Sequence, residues 1–364
     1  MTAPARTLTV MAAGTGGHIF PGLAIAQAMQ ARGWSVRWLG TAHGMEGDIV
    51  PRHGLALDTI EFAGLRGKGL GHAIRGAFAF FSSLFRSVKL IRAAGADVVL
   101  GMGGYVTVPG GIAARLSGRP LALVNADAAP LLSNKLLGPF AKRVLFGFAG
   151  DFGSLADKAV VTGNPVRREI CELPEPALRY ANRAGALKVL VVGGSLGARA
   201  LNEAVPAALA LIAPGARPLV THQSGKANFE ALRERYAKAG AEAELVAFID
   251  DMPRRLAEAD LVICRAGAVT AAELTAAGVA SVLVPLVVST TSHQRDNAEL
   301  LAEAGAAIHL PQTELSAEKL ASILQRIDRP RCLAMANAAR SIGKPDATER
   351  IADIIESLAS GDKA

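Results

Sequence analysis

The chain has 364 residues, half of them hydrophobic and few aromatic, with 38 glycines and a formal net charge of +7. That length and composition suit two close-packed α/β domains and exclude a disordered or fibrous chain, and no stretch approaches the ~18 consecutive apolar residues of a membrane-spanning helix. The charge is uneven, because residues 1–165 hold 16 Lys and Arg against 8 Asp and Glu while the remainder holds 23 against 24, so an anionic surface or substrate is expected at the N-terminal half.

The opening MTAPARTLTVMAAG carries one Arg and a short apolar run that leads into a glycine turn, so it reads as a first strand and not a signal peptide. Residues 7–13 form that strand, Gly14-Thr15-Gly16-Gly17-His18 the turn, and residues 21–32 a helical pattern. Strand, glycine turn and helix together make a phosphate cradle, since glycines let the backbone approach a ligand and aim N–H groups at it. A dinucleotide fingerprint is disfavoured. Ile19 occupies its third glycine position, and the next strand, 35–39, ends in Gly40-Thr41 with no acidic residue for a ribose. No GxxxxGK[ST] occurs, which removes a P-loop.

In residues 64–92, Ile74, Phe78, Phe81 and Phe85 recur at helical spacing, with Lys68, Arg75, Arg86, Lys89 and Arg92 around them. An aromatic face bordered by cations is the pattern of a helix lying on anionic lipid; the alternative is a core helix with solvated charges. A strand at 96–100 leads into the glycine-rich Gly101–Pro109 segment, written GMGGYVTVP, and a strand at 121–124 leads to Asn125-Ala126-Asp127. Ends of parallel strands face the crevice where ligands bind. Residues 173–176 and the polar run to Gly185 read as an interdomain connection.

A second strand, Lys188–Val192, then enters Gly193-Gly194-Ser195-Leu196-Gly197-Ala198 and a helix. Further strands end at Thr221–Lys226 (THQSGK) and Phe248–Met252 (FIDDM). The buried run Leu261–Cys264 is followed by a small turn and a helix, with Thr270 placed to cap it and Glu273 at capping-box spacing. A strand at 280–285 and a polar loop at 289–294 complete the unit. The helix entrance is a natural anion site, and Glu273 lies one turn past it, where it can accept hydrogen bonds from a ribose; the plainer reading is a capping glutamate. ADVVLGMGGYVT (96–107) echoes ADLVICRAGAVT (259–270), as expected of two similar doubly wound units with a ligand between them. Residues 347–358 read as a closing helix against the first unit. Cys171, Cys264 and Cys332 are odd in number and lack CxxC spacing, so neither disulfides nor zinc is expected, and a reducing cytoplasm is.

GTGGHIFP (14–21), GMGGYVTVPGG (101–111), VTGNPVR (161–167), GGSLGA (193–198), HQSGK (222–226), FIDDM (248–252) and CRAGAVTAAEL (264–274) resemble, in order and spacing, the MurG family of GT-B glycosyltransferases. The resemblance extends to PDATER at 345–350. It implies an α/β GT-B fold, two Rossmann-like domains with parallel sheets facing across a cleft: 1–165 acceptor- and membrane-facing, 166–345 UDP-sugar-binding, with a helix at about 346–358 packing back on the first. The implied reaction is inverting transfer of N-acetylglucosamine from UDP-N-acetylglucosamine to lipid I, giving lipid II for peptidoglycan synthesis. By match, Ser195 and its glycine turn meet phosphate, Ile249 meets uracil through its backbone, and Ala268, Val269, Thr270, Ala271, Ala272 and Glu273 line the nucleotide. Glu273 holds the ribose, Gln294 the sugar hydroxyls, and Arg167 sits near the diphosphate or sugar. Thr15, Gly16 and Gly17 close the donor site from the other domain. Gly103, Gly104, Tyr105 and Asn125 fall on the acceptor side. Lys68, Ile74, Arg75, Phe78, Phe81 and Phe85 face an anionic membrane surface, at the cytoplasmic side of a bacterial inner membrane as a peripheral protein. No cofactor, no metal and no nucleic acid are expected; Asp250-Asp251 is not a DxD motif. Other cell-wall synthesis or division proteins are further partners in such a setting.

An inverting transfer needs a base for the acceptor hydroxyl and stabilisation of the leaving UDP, and His18 is the candidate base by residue type. One departure from the family is notable. Where the family usually carries His-Glu-Gln-Asn, this chain has Val124-Asn125-Ala126-Asp127, so the usual glutamate is Asn125, and a carboxylate reappears at Asp127. Asp127 is expected to take over part of the lost carboxylate's role. The loop at 289–293 also lacks the charged residues common there. Two alternatives remain at this level: another GT-B transferase with a different acceptor, and a nucleotide-sugar binding protein without acceptor chemistry, which the 124–127 departure favours.

Overall fold

The computed structural model describes residues 5–62, 70–194, 197–286 and 292–361, apart from the side chains of 70–74. The chain divides into two compact units, Met1–Val166 with Pro345–Ala364, and Arg167–Lys344.

The first unit holds strands β1 (Thr7–Ala12), β2 (Ser35–Gly40), β3 (Ala56–Thr59), β4 (Val98–Gly103), β5 (Leu121–Asn125), β6 (Arg143–Phe146) and β7 (Ala159–Val161) in the order β3-β2-β1-β4-β5-β6-β7. Every pairing is parallel. Helices on both faces explain why β1, β4 and β5 are largely apolar and buried along their whole length. Alternate residues serve opposite layers. Leu8, Val10 and Ala12 join Ile19, Ile25, Met29, Trp38 and Leu100 on one face, while Met11 and Ala13 join Leu39, Val99, Leu121 and Phe146 on the other.

The helix after β1 is α1 (Gly16–Ala31). It starts five residues before the position Pro21 suggests, so the glycine turn is itself the first helical turn. Pro21 sits inside the helix, and because it has no N–H it leaves the Gly17 carbonyl without a helical donor. The remaining helices of this half are α2 (Met45–Arg52), α3 (Leu70–Ala93), α4 (Thr107–Leu116) and α5 (Leu132–Leu137). The closing helix Ala347–Ser360 buries Ile351, Ala352 and Ile355 in the α1 layer. Arg32, at the end of α1, donates to Asp353 at 2.7 Å, to Glu356 at 2.9 Å and to Glu349.

The second unit repeats the plan with β8 (Lys188–Val192), β9 (Leu219–Gln223), β10 (Glu244–Val246), β11 (Leu261–Cys264), β12 (Ser281–Leu283) and β13 (Ala307–His309), ordered β10-β9-β8-β11-β12-β13 and all parallel. The echoing segments 96–107 and 259–270 therefore carry equivalent strands, β4 and β11. The stretch 173–185 is not a free connection but belongs to the second unit. It contains a short helix, Pro176–Tyr180. The buried Tyr180 donates its hydroxyl proton to the Asp260 carbonyl (2.8 Å) and Arg179 donates to the Ala277 carbonyl (2.6 Å). Arg183 and Arg329 both meet the fully buried Asp260 carboxylate, at 2.7 and 3.2 Å. Its prolines and polar run read as linker; Arg179 and Arg183 are anchors.

Candidate active site

In both sheets the strand order reverses beside the first strand, between β1 and β4 and between β8 and β11. Ligands of open parallel sheets bind at such points, beyond the carboxyl ends of the strands. The glycine turn singled out from the sequence at 14–17 follows β1, the glycines at 101–104 end β4, and the turn at 265–268 follows β11.

In the first unit, Thr15 is the exposed N-cap of α1, and the first intrahelical bond runs from His18 N to Thr15 O at 3.0 Å. The Gly16 and Gly17 N–H groups precede it, at the positive end of a 16-residue helix. The half-buried His18 places Nδ1 3.4 Å from the Ala13 carbonyl. A carbonyl only accepts, so Nδ1 carries the proton and Nε2 keeps the basic lone pair. Burial lowers the His18 pKa from its ordinary value; the Ala13 bond and the charge of Asp127 act the other way. The ring is thus neutral at pH 7, the form a base requires. Gly103 (φ +116°) lies against the same ring, where a Cβ would come 2.7 Å from Cδ2. At Gly104 (φ +85°) a Cβ would run into the Ala13 carbonyl. These two glycines let the β4 loop close on the β1 loop. Tyr105 follows, its hydroxyl 3.3 Å from Thr41 Oγ1.

Asn125 corrects an expectation. It is fully buried and does not present its side chain to an acceptor. Its Nδ2 donates to the carbonyls of Asp127 (2.8 Å) and Ala129 (3.0 Å), and its Oδ1 accepts from Leu131 N (2.8 Å) and Asn134 Nδ2 (3.1 Å). Asn164 Nδ2 adds a bond to the Ala126 carbonyl at 2.8 Å. Three asparagines shape the loop that sets Asp127 in electrostatic reach of His18.

In the second unit the helix Ala268–Ala277 starts at Gly267, its N-cap. Thr270 is therefore inside the first turn and caps nothing, and Glu273 has no capping box to complete. The first intrahelical bond is Ala271 N to Gly267 O, 2.9 Å, so the N–H groups of Ala268, Val269 and Thr270 have no partner within the helix and stand at its positive end. Ala271 and Ala272 are buried and face the core, which removes them as lining side chains. Glu273 stays partly accessible and meets Arg167 in a forked pair, Nη2 at 2.7 Å and Nε at 3.1 Å. Burial raises the Glu273 pKa, against the lowering effect of Arg167. Ile249 is nearly buried beside the half-exposed Phe248. Gln294 uses its side-chain carbonyl to accept from Leu286 N at 2.9 Å.

Ser195 and Lys68 lie outside the described residues, as does the side chain of Ile74. On α3, Arg75, Phe78, Phe81 and Phe85 are all exposed, Phe78 at 77%, while Ser83, Leu84, Ser87 and Ile91 form its buried face. A core-helix reading fails for the three phenylalanines.

Two domain models of glycosyltransferase family 28 match this chain, the N-terminal domain over residues 8–146 and the C-terminal domain over 188–358. A protein of Herminiimonas arsenicoxydans is 65% identical over 353 residues, covering 97% of this chain and 99% of that one. One of Methylibium petroleiphilum is 58% identical, covering 98% and 99%. Both are named UDP-N-acetylglucosamine--N-acetylmuramyl-(pentapeptide) pyrophosphoryl-undecaprenol N-acetylglucosamine transferase. The crystal structure of Acinetobacter baumannii MurG superimposes with a TM-score of 0.86 at 36% identity, over 97% of this chain and 99% of that one. The chain belongs to the MurG family. It is a GT-B glycosyltransferase.

Within this MurG-family frame, sequence reasoning missed several residues that organise the site. Gln223, in HQSGK, accepts from Gly193 N (3.1 Å) and donates to the Gly194 carbonyl (2.9 Å), holding the β8 turn. Asn297 donates to the Ala266 carbonyl at 3.0 Å. His222 is fully buried between Tyr236 Oη (3.0 Å) and Asn202 Oδ1 (3.1 Å). Only HQSGK was visible as a motif, and nothing in its residue types disclosed a role.

Proposed function

We propose that the chain transfers N-acetylglucosamine from UDP-N-acetylglucosamine to the muramyl C4 hydroxyl of lipid I, forming lipid II for peptidoglycan synthesis, with the first unit serving the acceptor and the second the donor. The observation that carries the chemistry is the neutral His18 with Nδ1 tied to a carbonyl and Nε2 basic. His18 Nε2 takes the C4 hydroxyl proton as that oxygen bonds to the sugar's anomeric carbon. The bond from the anomeric carbon to the UDP oxygen breaks, the electron pair leaves on UDP, and the configuration inverts. Asp127 stabilises the imidazolium as it forms. The N–H groups of 268–270 and their helix dipole meet the departing diphosphate. Glu273 accepts from the ribose hydroxyls after Arg167 swings toward the phosphates. Ser195 and Ile249 complete the nucleotide contacts, and Gln294 stands beside the sugar.

The exposed Phe78, Phe81 and Phe85, with Arg75, Arg86 and Lys89 exposed around them, adsorb the protein peripherally to anionic lipid. This fits the cytoplasmic face of the inner membrane, where lipid I and other cell-wall synthesis or division proteins would meet it. No helix among the described residues is long and apolar enough to cross a membrane. The test is transfer of radiolabel from UDP-N-acetylglucosamine into a lipid I analogue. Label in the lipid product supports this function; saturable UDP-sugar binding without lipid-linked product overturns it in favour of a binding protein.

A further inference from the structure

Glu46 is a carboxylate with no exposed surface, near the start of α2, and no part of the reaction described above uses it. Charged side chains are rarely buried without a reason in the contacts they make. Here the contacts are three donors from two loops. Oε2 accepts from Gly14 N at 3.2 Å, while Oε1 accepts from Thr41 N at 3.0 Å and from Thr41 Oγ1 at 2.7 Å. The Thr41 hydroxyl, its proton given to Glu46, offers a lone pair to the Tyr105 hydroxyl 3.3 Å away. The carboxylate is fitted closely enough that a Cβ on Gly44 would collide with both its oxygens.

These bonds join the loops that follow β1, β2 and β4, three neighbouring strands at the switch point. Gly14 opens the turn that carries Thr15 to His18, and Tyr105 closes it from the other side: a Cβ on Gly14 would lie 3.6 Å from the Tyr105 ring. We propose that Glu46 is a positioning residue for the acceptor half of the site, setting the β1 turn through Gly14 and orienting Tyr105 through Thr41. The proposal rests on the function given above, and it assigns Glu46 no contact with either substrate.

The chemistry makes the role separable. A glutamine at 46 offers one acceptor oxygen and two donor hydrogens to a pocket of three donors. The orientation that keeps both Thr41 bonds turns the amide nitrogen toward Gly14 N–H, so Glu46→Gln releases the β1 turn at nearly constant volume. Thr41→Val removes the hydroxyl link and keeps the Thr41 N–H, and Thr41→Ser restores the hydroxyl.

The experiment uses the full chain and combines hydrogen exchange of residues 12–20, UDP affinity by calorimetry, and steady-state transfer to a lipid I analogue. In Glu46→Gln we expect faster exchange in 12–20, UDP affinity lowered far less than the acceptor kinetics, and kcat/KM for the acceptor lowered about 10- to 100-fold, as misplacement by about 1 Å can do. Thr41→Val should lower it and Thr41→Ser should recover most of the loss. The proposal is overturned by unchanged exchange, by unchanged acceptor kinetics despite faster exchange, or by a fall in UDP affinity equal to the fall in kcat/KM. Should Glu46→Gln fail to fold, the Thr41 pair decides, and equal activity of Val and Ser overturns it. A wild-type protein without transfer activity contradicts the proposed function instead, and the exchange measurement still judges the clamp.

Discussion

Asn125→Asp changes one atom type at constant shape and tests the asparagine-built loop. In the native protein the Nδ2 hydrogens meet two carbonyl oxygens, at 2.8 and 3.0 Å, in a fully buried setting. In the variant a carboxylate oxygen faces those same carbonyls. Two hydrogen bonds are lost and a buried charge stands unpaired, which costs roughly 3–5 kcal/mol. Protonation is the relief, and at pH 7 it costs about 4 kcal/mol for a group whose unfolded pKa is near 3.9, so the two routes agree in size. The sign follows: the folded-state pKa of the new carboxyl is raised, so the charge penalty is absent below about pH 4, where only the one hydrogen bond that a single O–H cannot replace is missing, and it grows as pH rises toward neutrality. For a unit of this size a loss of that order lowers the melting temperature by about 10 °C at pH 7. Calorimetric scans of both proteins at pH 5 and pH 7 measure it, with the deficit smaller at pH 5. A deficit under 2 °C at pH 7, or one that grows as pH falls, refutes the reasoning.

Four other outcomes are expected. His18→Ala should lower kcat by about 10²- to 10⁴-fold, and Asp127→Asn should move the acid limb of the kcat/KM–pH profile to lower pH, because it removes a charge that raises the His18 pKa; turnover unchanged in Asp127→Asn, with His18→Ala inactive, would deny Asp127 its role. Glu273→Ala should weaken UDP binding by about 10- to 100-fold, the worth of hydrogen bonds to a charged group, as titration calorimetry would show; equal affinity would place the ribose elsewhere. Burial holds the His222 pKa down at about 3, below the ordinary value near 6.5, so the unfolded chain binds its proton first. Stability is therefore full above about pH 6.5 and is lost as pH falls toward 3, by about 2 kcal/mol at pH 5; His222→Gln should flatten that dependence in denaturant titrations.

Much of the fold was legible because buried parallel strands are plain apolar runs and glycine turns follow them. Lys188–Val192 and Leu261–Cys264 match the observed strands residue for residue. Boundaries failed where a rule of thumb met a local exception, as at Pro21, which starts no helix, and at Thr270, displaced as cap by Gly267. His18 and Glu273 stood out because each follows a glycine-containing turn at the start of a helix. Glu46, Gln223 and Asn164 act on backbone groups far away in sequence, and no local pattern encodes which distant N–H or carbonyl a side chain will meet. Asn125 shows the same limit from the other direction: its residue type stood out at a strand end, and only its burial and hydrogen bonds revealed that it serves the loop.

The central claim is acceptor-dependent transfer. The most direct measurement is UDP release from UDP-N-acetylglucosamine, with and without a lipid I analogue, in the presence of EDTA. Release that requires the acceptor and survives the chelator is the result expected when His18 supplies the base and the helix entrance at 268–270 stabilises the leaving diphosphate. No release despite saturable UDP-sugar binding, or release that EDTA abolishes, would contradict the account.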